Sequence, residues 1–182
     1  MKIKLMSLIV LKCFCLLTSC KSSPIFDYKN EPKYVHLSDE VIKKTANALK
    51  SEKGLYMIGH GGELMYDVKK LAISFVCNYE INMKEGRELI VYSVHKFLSN
   101  INSNEQIRPY LNEFPFQVKD IDIAISFKVR EKIKKDSIDF VSIYYGKVFY
   151  DISDKEEVLK TIHEETYEEA LKIVESEKST NG

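Results

Sequence analysis

Two stretches of the chain alternate apolar and polar side chains with a period of two. In the first, Leu71, Ile73, Phe75, Cys77 and Tyr79 share one face, and Ala72, Ser74, Val76 and Asn78 share the other. In the second, Ile121, Ile123, Ile125 and Phe127 alternate with Asp122, Ala124, Ser126 and Lys128. Successive strand side chains point to opposite sides, so each stretch predicts a strand with one face on a core. Residues 138–145 and 148–152 predict two more strands around Gly146-Lys147, a Gly-x connection of the type II′ hairpin kind. A short strand is expected at 55–58, ended by Gly59-His60-Gly61-Gly62.

Helical spacing recurs three times. Over 38–53, Val41 or Ile42 joins Thr45, Ala46 and Leu49 in a stripe. Ser38 is the expected cap, Asp39 and Glu40 suit the first turn, and Gly54 suits the stop. Asn82 and Glu85 have capping-box spacing ahead of Ile90, Val94, Phe97, Leu98 and Ile101. Ser153 and Glu156 repeat that spacing ahead of Leu159, Ile162, Thr166, Ala170 and Ile173, predicting a last helix with Glu164, Glu165, Glu168 and Glu169 on its other side. Glu156 with Lys160, and Glu168 with Lys172, would pair at i,i+4. Residues 175–182 are expected to fray. Pro109 cannot continue a helix unless it opens a new one. Phe114-Pro115-Phe116 starts an extended stretch, and 130–136 reads as a charged loop. No β-helix-β unit repeats. The fold class expected is α+β, a mainly antiparallel sheet of about four strands packed against two or three helices.

The first twenty residues read differently. Met1 to Lys4 is basic, and residues 5–17 are mostly apolar yet shorter than the ~20 residues of a spanning helix. Leu17-Thr18-Ser19-Cys20 follows. This resembles the lipobox of bacterial lipoproteins; Lys12, inside the apolar stretch, departs from the pattern. The resemblance implies that residues 1–19 are a removed signal peptide and that Cys20 carries a diacylglyceryl group on its sulfur, with its amine acylated. Two or more acyl chains hold a protein on a membrane stably. Lys21 and Ser22 lack the Asp that in such lipoproteins often signals inner-membrane retention, which favours the outer membrane. Residues 20–33, polar with Pro24 and Pro32, form the lipidated Cys and its tether. Residues 34–178 form a single α+β domain and 179–182 a tail.

Charge and cysteine content narrow the function. Lys+Arg and Asp+Glu are 27 each, whereas a general nucleic-acid binder is basic. Loss of Lys2, Lys4 and Lys12 with the leader would turn this balance slightly acidic. Of four cysteines, Cys13 and Cys15 would leave with the leader and Cys20 would take lipid. Cys77 then has no disulfide partner and reads as a buried, inert thiol.

The most enzyme-like spot is His60 among its glycines, where backbone N–H groups approach a ligand and the imidazole serves as base or ligand. It resembles the His-Gly-Gly oxyanion loop of lipases and esterases, but the chain has no Gly-x-Ser-x-Gly elbow. A flexible connecting loop is the plainer reading. His36, His95 and His163 form no metal-ligand spacing, and His163 reads as part of a solvated helix face. No catalytic residue, metal or cofactor is expected. Arg108, Tyr110, Phe114 and Phe116 make a dense segment, a candidate surface for an envelope protein or peptidoglycan. Arg108 has Tyr110 to stack on, or Glu105 or Glu113 to pair with. Tyr144, Tyr145 and Tyr150 read as half-buried sheet surface, or as a contact for sugars or proteins. Met65-Tyr66, Glu85-Gly86-Arg87-Glu88-Leu89, Ile107 to Leu111 and Phe114 to Phe116 together resemble a small family of uncharacterised bacterial proteins of the chlamydia-like kind, over about 63–150; no activity comes with it.

The function expected is that of a lipid-anchored cell-envelope protein with a non-catalytic binding or structural role. The alternatives are a small envelope hydrolase using His60 and a subunit of an envelope assembly. Polar groups converging on His60 in a cleft favour the hydrolase; a convex, exposed His60 beside aromatic side chains favours binding.

Overall fold

Helix α1 spans Lys33–Lys53 and begins five residues before its predicted cap. Tyr34, Leu37 and Val41 extend the apolar stripe backwards, and Leu37, Val41, Ile42 and Leu49 are buried. Ser38 is therefore interior, its hydroxyl donating to the Tyr34 carbonyl at 2.7 Å, while Pro32 stands at the cap position. The stop is as read: Gly54 has φ 66°, and its N–H donates to the Lys50 carbonyl at 3.0 Å.

The structure, a computed structural model, describes residues 28–128, 136–154, 156 and 158–180. The chain divides into two units, Met1–Glu31 and Pro32–Gly182. Of the first, only residues 28–31, with a short 3-10 turn at Tyr28–Asn30, are described. The leader, the lipobox with Cys20 and most of the tether lie outside the described residues, as does nearly all of the expected 130–136 loop.

In the second unit the strands are β1 (Tyr56–Glu63), β2 (Lys70–Cys77), β3 (Ile81–Asn82), β4 (Ile121–Phe127), β5 (Ser137–Ile138), β6 (Phe140–Tyr144), β7 (Lys147–Ser153) and β8 (Leu159–Thr166). Helix α2 is Met83–Asn102 and α3 is Tyr167–Thr180. The domain is α+β, with three helices and a mixed six-stranded sheet ordered β1-β2-β4-β6-β7-β8; β3 and β5 form a separate ribbon. Neighbours in the sheet are antiparallel except β2 and β4, which run parallel with Leu71 opposite Ile121 and Cys77 opposite Phe127. A parallel pair needs a crossover, and α2 lies within it. The two alternating stretches thus form the centre of the sheet, and their Leu71, Ile73, Phe75, Ile121, Ile123 and Ile125 side chains are buried with Ile90, Val94 and Phe97 of α2.

Helix α2 starts as read. The Glu85 N–H donates to Asn82 Oδ1 at 3.0 Å, and the Asn82 N–H donates to Glu85 Oε2 at 2.8 Å. Pro109 opens a short 3-10 turn, Arg108–Tyr110. Tyr79 lies beyond the end of β2 and is exposed.

Several expectations change. The sheet has six strands where about four were expected, and it remains mainly antiparallel. Gly59-His60-Gly61-Gly62 is no loop but the body of edge strand β1. The β6–β7 turn is Tyr145-Gly146, with φ 47° and 75°, so it is type I′ and sits one residue earlier than Gly146-Lys147. The helix expected from Ser153 onward does not form there. Residues 159–166 are edge strand β8, so Glu156 and Lys160 have no helical spacing, and Asp154 Oδ1 instead accepts from the Glu156 and Val158 N–H groups. The helix starts at Tyr167, capped by Thr166 and Glu169: the Thr166 N–H donates to Glu169 Oε2 at 2.8 Å, and the Glu169 N–H donates to Thr166 Oγ1 at 3.2 Å. It remains helical to Thr180, through residues expected to fray.

Candidate functional site

Among the described residues strand β1 pairs with β2 alone, on one side, and seven of its eight residues are exposed, with Gly59 half-buried. His60 sits opposite Ile73. Its Nδ1 lies 3.8 Å from Asp39 Oδ1 on α1, and the side chain is 36% exposed. Among the described residues no hydrogen bond, ring contact or second ion pair reaches His60. Around it Tyr56, Met57 and Ile58 are exposed, Ile58 by 61%. The glycines divide by cause. A Cβ on Gly62 would fall 2.3 Å from the Lys70 carbonyl oxygen, so the fold needs glycine there. A Cβ on Gly59 or Gly61 would meet nothing within 4 Å, and neither has positive φ. Packing within the domain gives no reason for glycine at those two positions.

The Arg108–Phe116 segment is split by burial. Phe116 is 2% exposed and belongs to the core; its backbone N–H donates to Asn102 Oδ1 at 2.8 Å and its carbonyl accepts from Asn102 Nδ2 at 2.9 Å. It is therefore no part of a binding surface. Tyr110 is half-buried and its ring faces Tyr34 at 6.0 Å. Arg108 stacks on Phe114, 4.5 Å above the ring, rather than on Tyr110, and Glu113 pairs with Lys119 at 2.6 Å. Arg108 and Phe114 are both exposed, so the candidate surface contracts to this pair. The segment is bound to the β1–β2 connection: the Val68 N–H donates to the Tyr110 carbonyl at 2.8 Å, and the Asn112 N–H to the Val68 carbonyl at 3.0 Å.

A second aromatic group forms at the β6–β7 turn. Lys70 Nζ lies 3.3 Å from the Tyr145 ring centre, 4.8 Å from that of Tyr144, and 3.4 Å from Asp122 Oδ2. Burial pushes the Asp122 carboxyl up, against the pull of the Lys70 ammonium. Lys70 thereby ties β2 and β4 to the hairpin tip, and Tyr144 and Tyr145 remain exposed.

The densest polar cluster was not legible in the sequence. Arg87 of α2 donates from Nε to Glu165 Oε1 of β8 at 2.7 Å. The Tyr150 hydroxyl of β7 donates to the same oxygen at 2.5 Å. His163 Nε2 stands 3.6 Å from Glu165 Oε2, with its ring 5.6 Å from that of Tyr150. Arg87 and Glu165 side chains are 10% and 6% exposed. Burial raises the Glu165 pKa, but the hydrogen bonds from Arg87 and Tyr150 outweigh it and hold the carboxyl below its usual range. Burial, with the hydrogen bond to Glu165, drives the Tyr150 phenol well above its usual range. Burial lowers Arg87 and its carboxylate partner Glu165 more than restores it, with Glu177, itself 3.2 Å from Lys84, adding to the field. His163 therefore lies on a strand and not on the solvated helix face expected. Cys77 is buried and its thiol is pushed up by that burial, as expected of an inert core thiol.

Among the described residues there is no group of three or more His, Cys, Asp or Glu placed to hold a metal ion, and no helix long and apolar enough to cross a membrane. No family model, no curated protein and no solved structure matches this chain.

Proposed function

We propose that this chain is a lipid-anchored protein of the bacterial envelope, held at the outer membrane, whose domain binds an extended segment of an envelope partner along β1. The role is binding, without catalysis. The anchor rests on Leu17-Thr18-Ser19-Cys20 and the short apolar leader before it. The observation that carries the binding reading is the bare β1 edge, where Gly59 and Gly61 leave room that the domain itself does not use. An added strand gains main-chain hydrogen bonds from such an edge, and the exposed Tyr56 and Ile58 beside it supply apolar contact. Bare glycine also lets a partner backbone approach closely. His60 has one loose carboxylate neighbour on an exposed strand, an arrangement that lends the hydrolase alternative no support.

Two measurements test this. With labelled palmitate, the full chain should take up label and pellet with membranes, and Cys20→Ser should take up none. Absence of label in the wild type ends the anchor reading. In pull-downs from detergent-solubilised envelopes, a partner captured by the wild type should be lost with Gly59→Val combined with Ile58→Lys. Equal capture by both ends the β1 reading.

A further inference from the structure

A groove of about 590 Å³ is lined by residues of β8, α3 and the first turns of α2. That volume lies within the range of small-molecule sites. Met83 and Ile173 give it apolar walls. Its charges are mixed, and several are uncommitted. Arg87 donates through Nε to Glu165. The Arg87 side chain is nine-tenths buried, and its guanidinium carbon lies 5.6 Å from the Tyr150 ring centre. Lys172, on the rim, has no ion-pair partner among the described residues. On the other side, Glu169 spends Oε2 on the cap of α3 and keeps Oε1 for another donor. Glu165 Oε2 lies 3.6 Å from His163 Nε2.

A simple anion would reach Arg87 and Lys172 but meet the carboxylates of Glu164, Glu165 and Glu169 along the same wall. A simple cation would suit those carboxylates but be repelled by Arg87 and Lys172 along the same groove. A ligand carrying both charges matches both halves. We infer that the groove binds a zwitterionic amino acid or short peptide with apolar side chains. Its carboxylate lies against Arg87 and Lys172, its ammonium against Glu165 and Glu169, and its side chains against Met83 and Ile173. Glu165, fixed by Arg87 and Tyr150, is preorganised for this, so little ordering remains to be done on binding. The site is separate from the β1 edge, at the opposite end of the sheet order.

Calorimetric titration of the full chain in detergent tests it, with the dipeptide Leu-Leu, its N-acetyl form and its C-terminal amide as probes. Leu-Leu should bind saturably, and each blocked form should bind at least about tenfold more weakly, the scale of one lost charge-assisted contact. Lys172→Gln should weaken Leu-Leu severalfold yet leave the amide form unchanged. Glu169→Gln, which keeps the capping bond, should weaken Leu-Leu and leave the N-acetyl form unchanged. Both substitutions lie on the surface of α3, so folding is retained. No saturable binding of Leu-Leu, equal affinity for all three probes, or indifference to both substitutions overturns the inference.

Discussion

The two edges of the sheet are alike in outline and opposite in chemistry. Each is an eight-residue strand, largely exposed, paired on one side, with one irregularity in its register. Strand β8 carries Lys160, His163, Glu164 and Glu165, and is fastened inward at two places. Glu165 reaches Arg87 and Tyr150, and the Thr161 hydroxyl donates to Asp151 Oδ1 at 2.6 Å. Charges along an edge discourage another chain from pairing with it. Strand β1 carries three glycines and three exposed large apolar side chains, with His60 and Glu63 its charge-bearing residues. Its side-chain ties are loose, the His60–Asp39 contact and Lys50 Nζ 5.2 Å from the Tyr56 ring centre. One edge is protected by side chains; the other is left to its backbone. An edge without protection is a liability unless something is meant to pair with it, and this difference is why we place the partner at β1.

The contrast makes graded predictions. Glu165→Ala leaves Arg87 buried without its carboxylate and should destabilise the domain by about 3–5 kcal/mol in urea unfolding, the scale for breaking one side of a buried pair. Gly62→Ala forces a Cβ against the Lys70 carbonyl and should cost about 1–3 kcal/mol, the usual range for overpacking. An unchanged midpoint for Glu165→Ala would remove the fastening from the comparison.

Acid unfolding sharpens the same point. The Glu165 carboxyl is held below its ordinary range in the folded state. It therefore contributes stability that is present above the ordinary carboxylate pKa, about 4.3, and is lost as pH falls through the folded value. Circular dichroism against pH should show a steeper loss below about pH 4 for the wild type than for Glu165→Gln. Parallel curves would mean the carboxylate is not held low. Smallest of all should be Gly59→Ala and Gly61→Ala, each within about 0.5 kcal/mol of the wild type, as for surface positions without packing constraints. A large loss at either would mean that the domain, and not a partner, needs those glycines.

What the sequence reveals follows burial. Strands β2 and β4 and helix α2 each have one side in the core, so their apolar positions keep strict period and were readable to within a residue or two. Strands β1 and β8 have neither face fully buried, so no alternation is imposed on them. In β8, Leu159, Ile162 and Thr166 happen to fall at i, i+3 and i+7, and Ser153 stands three residues before Glu156, which together imitate a capped helix. The true cap, Thr166 with Glu169, lies one strand later. In β1, glycines that weaken a strand read as a loop, because the pairing supplied by β2 is invisible along the chain. The candidate site failed for a related reason. Arg87 and Glu165 are 78 positions apart, and each looks locally like a charged residue on an amphipathic helix. Only the sheet order brings them together. Phe116 was misplaced because an aromatic residue between Pro115 and Gln117 carries no signal of which way it turns.

The parallel pairing of β2 with β4 also constrains the order in which the molecule assembles. Leu71 must wait for Ile121, fifty positions later, whereas β1 with β2, and β6 with β7, close through short connections. Contacts that distant form slowly because the intervening chain must be ordered first. During that interval the β1–β2 hairpin holds the Leu71, Ile73 and Phe75 row without α2 over it, a surface prone to sticking to other chains. A chain delivered amino end first passes through this exposed state each time it folds. The completion of α2 and β4, rather than the closing of any hairpin, is then the event that commits the domain to its native form.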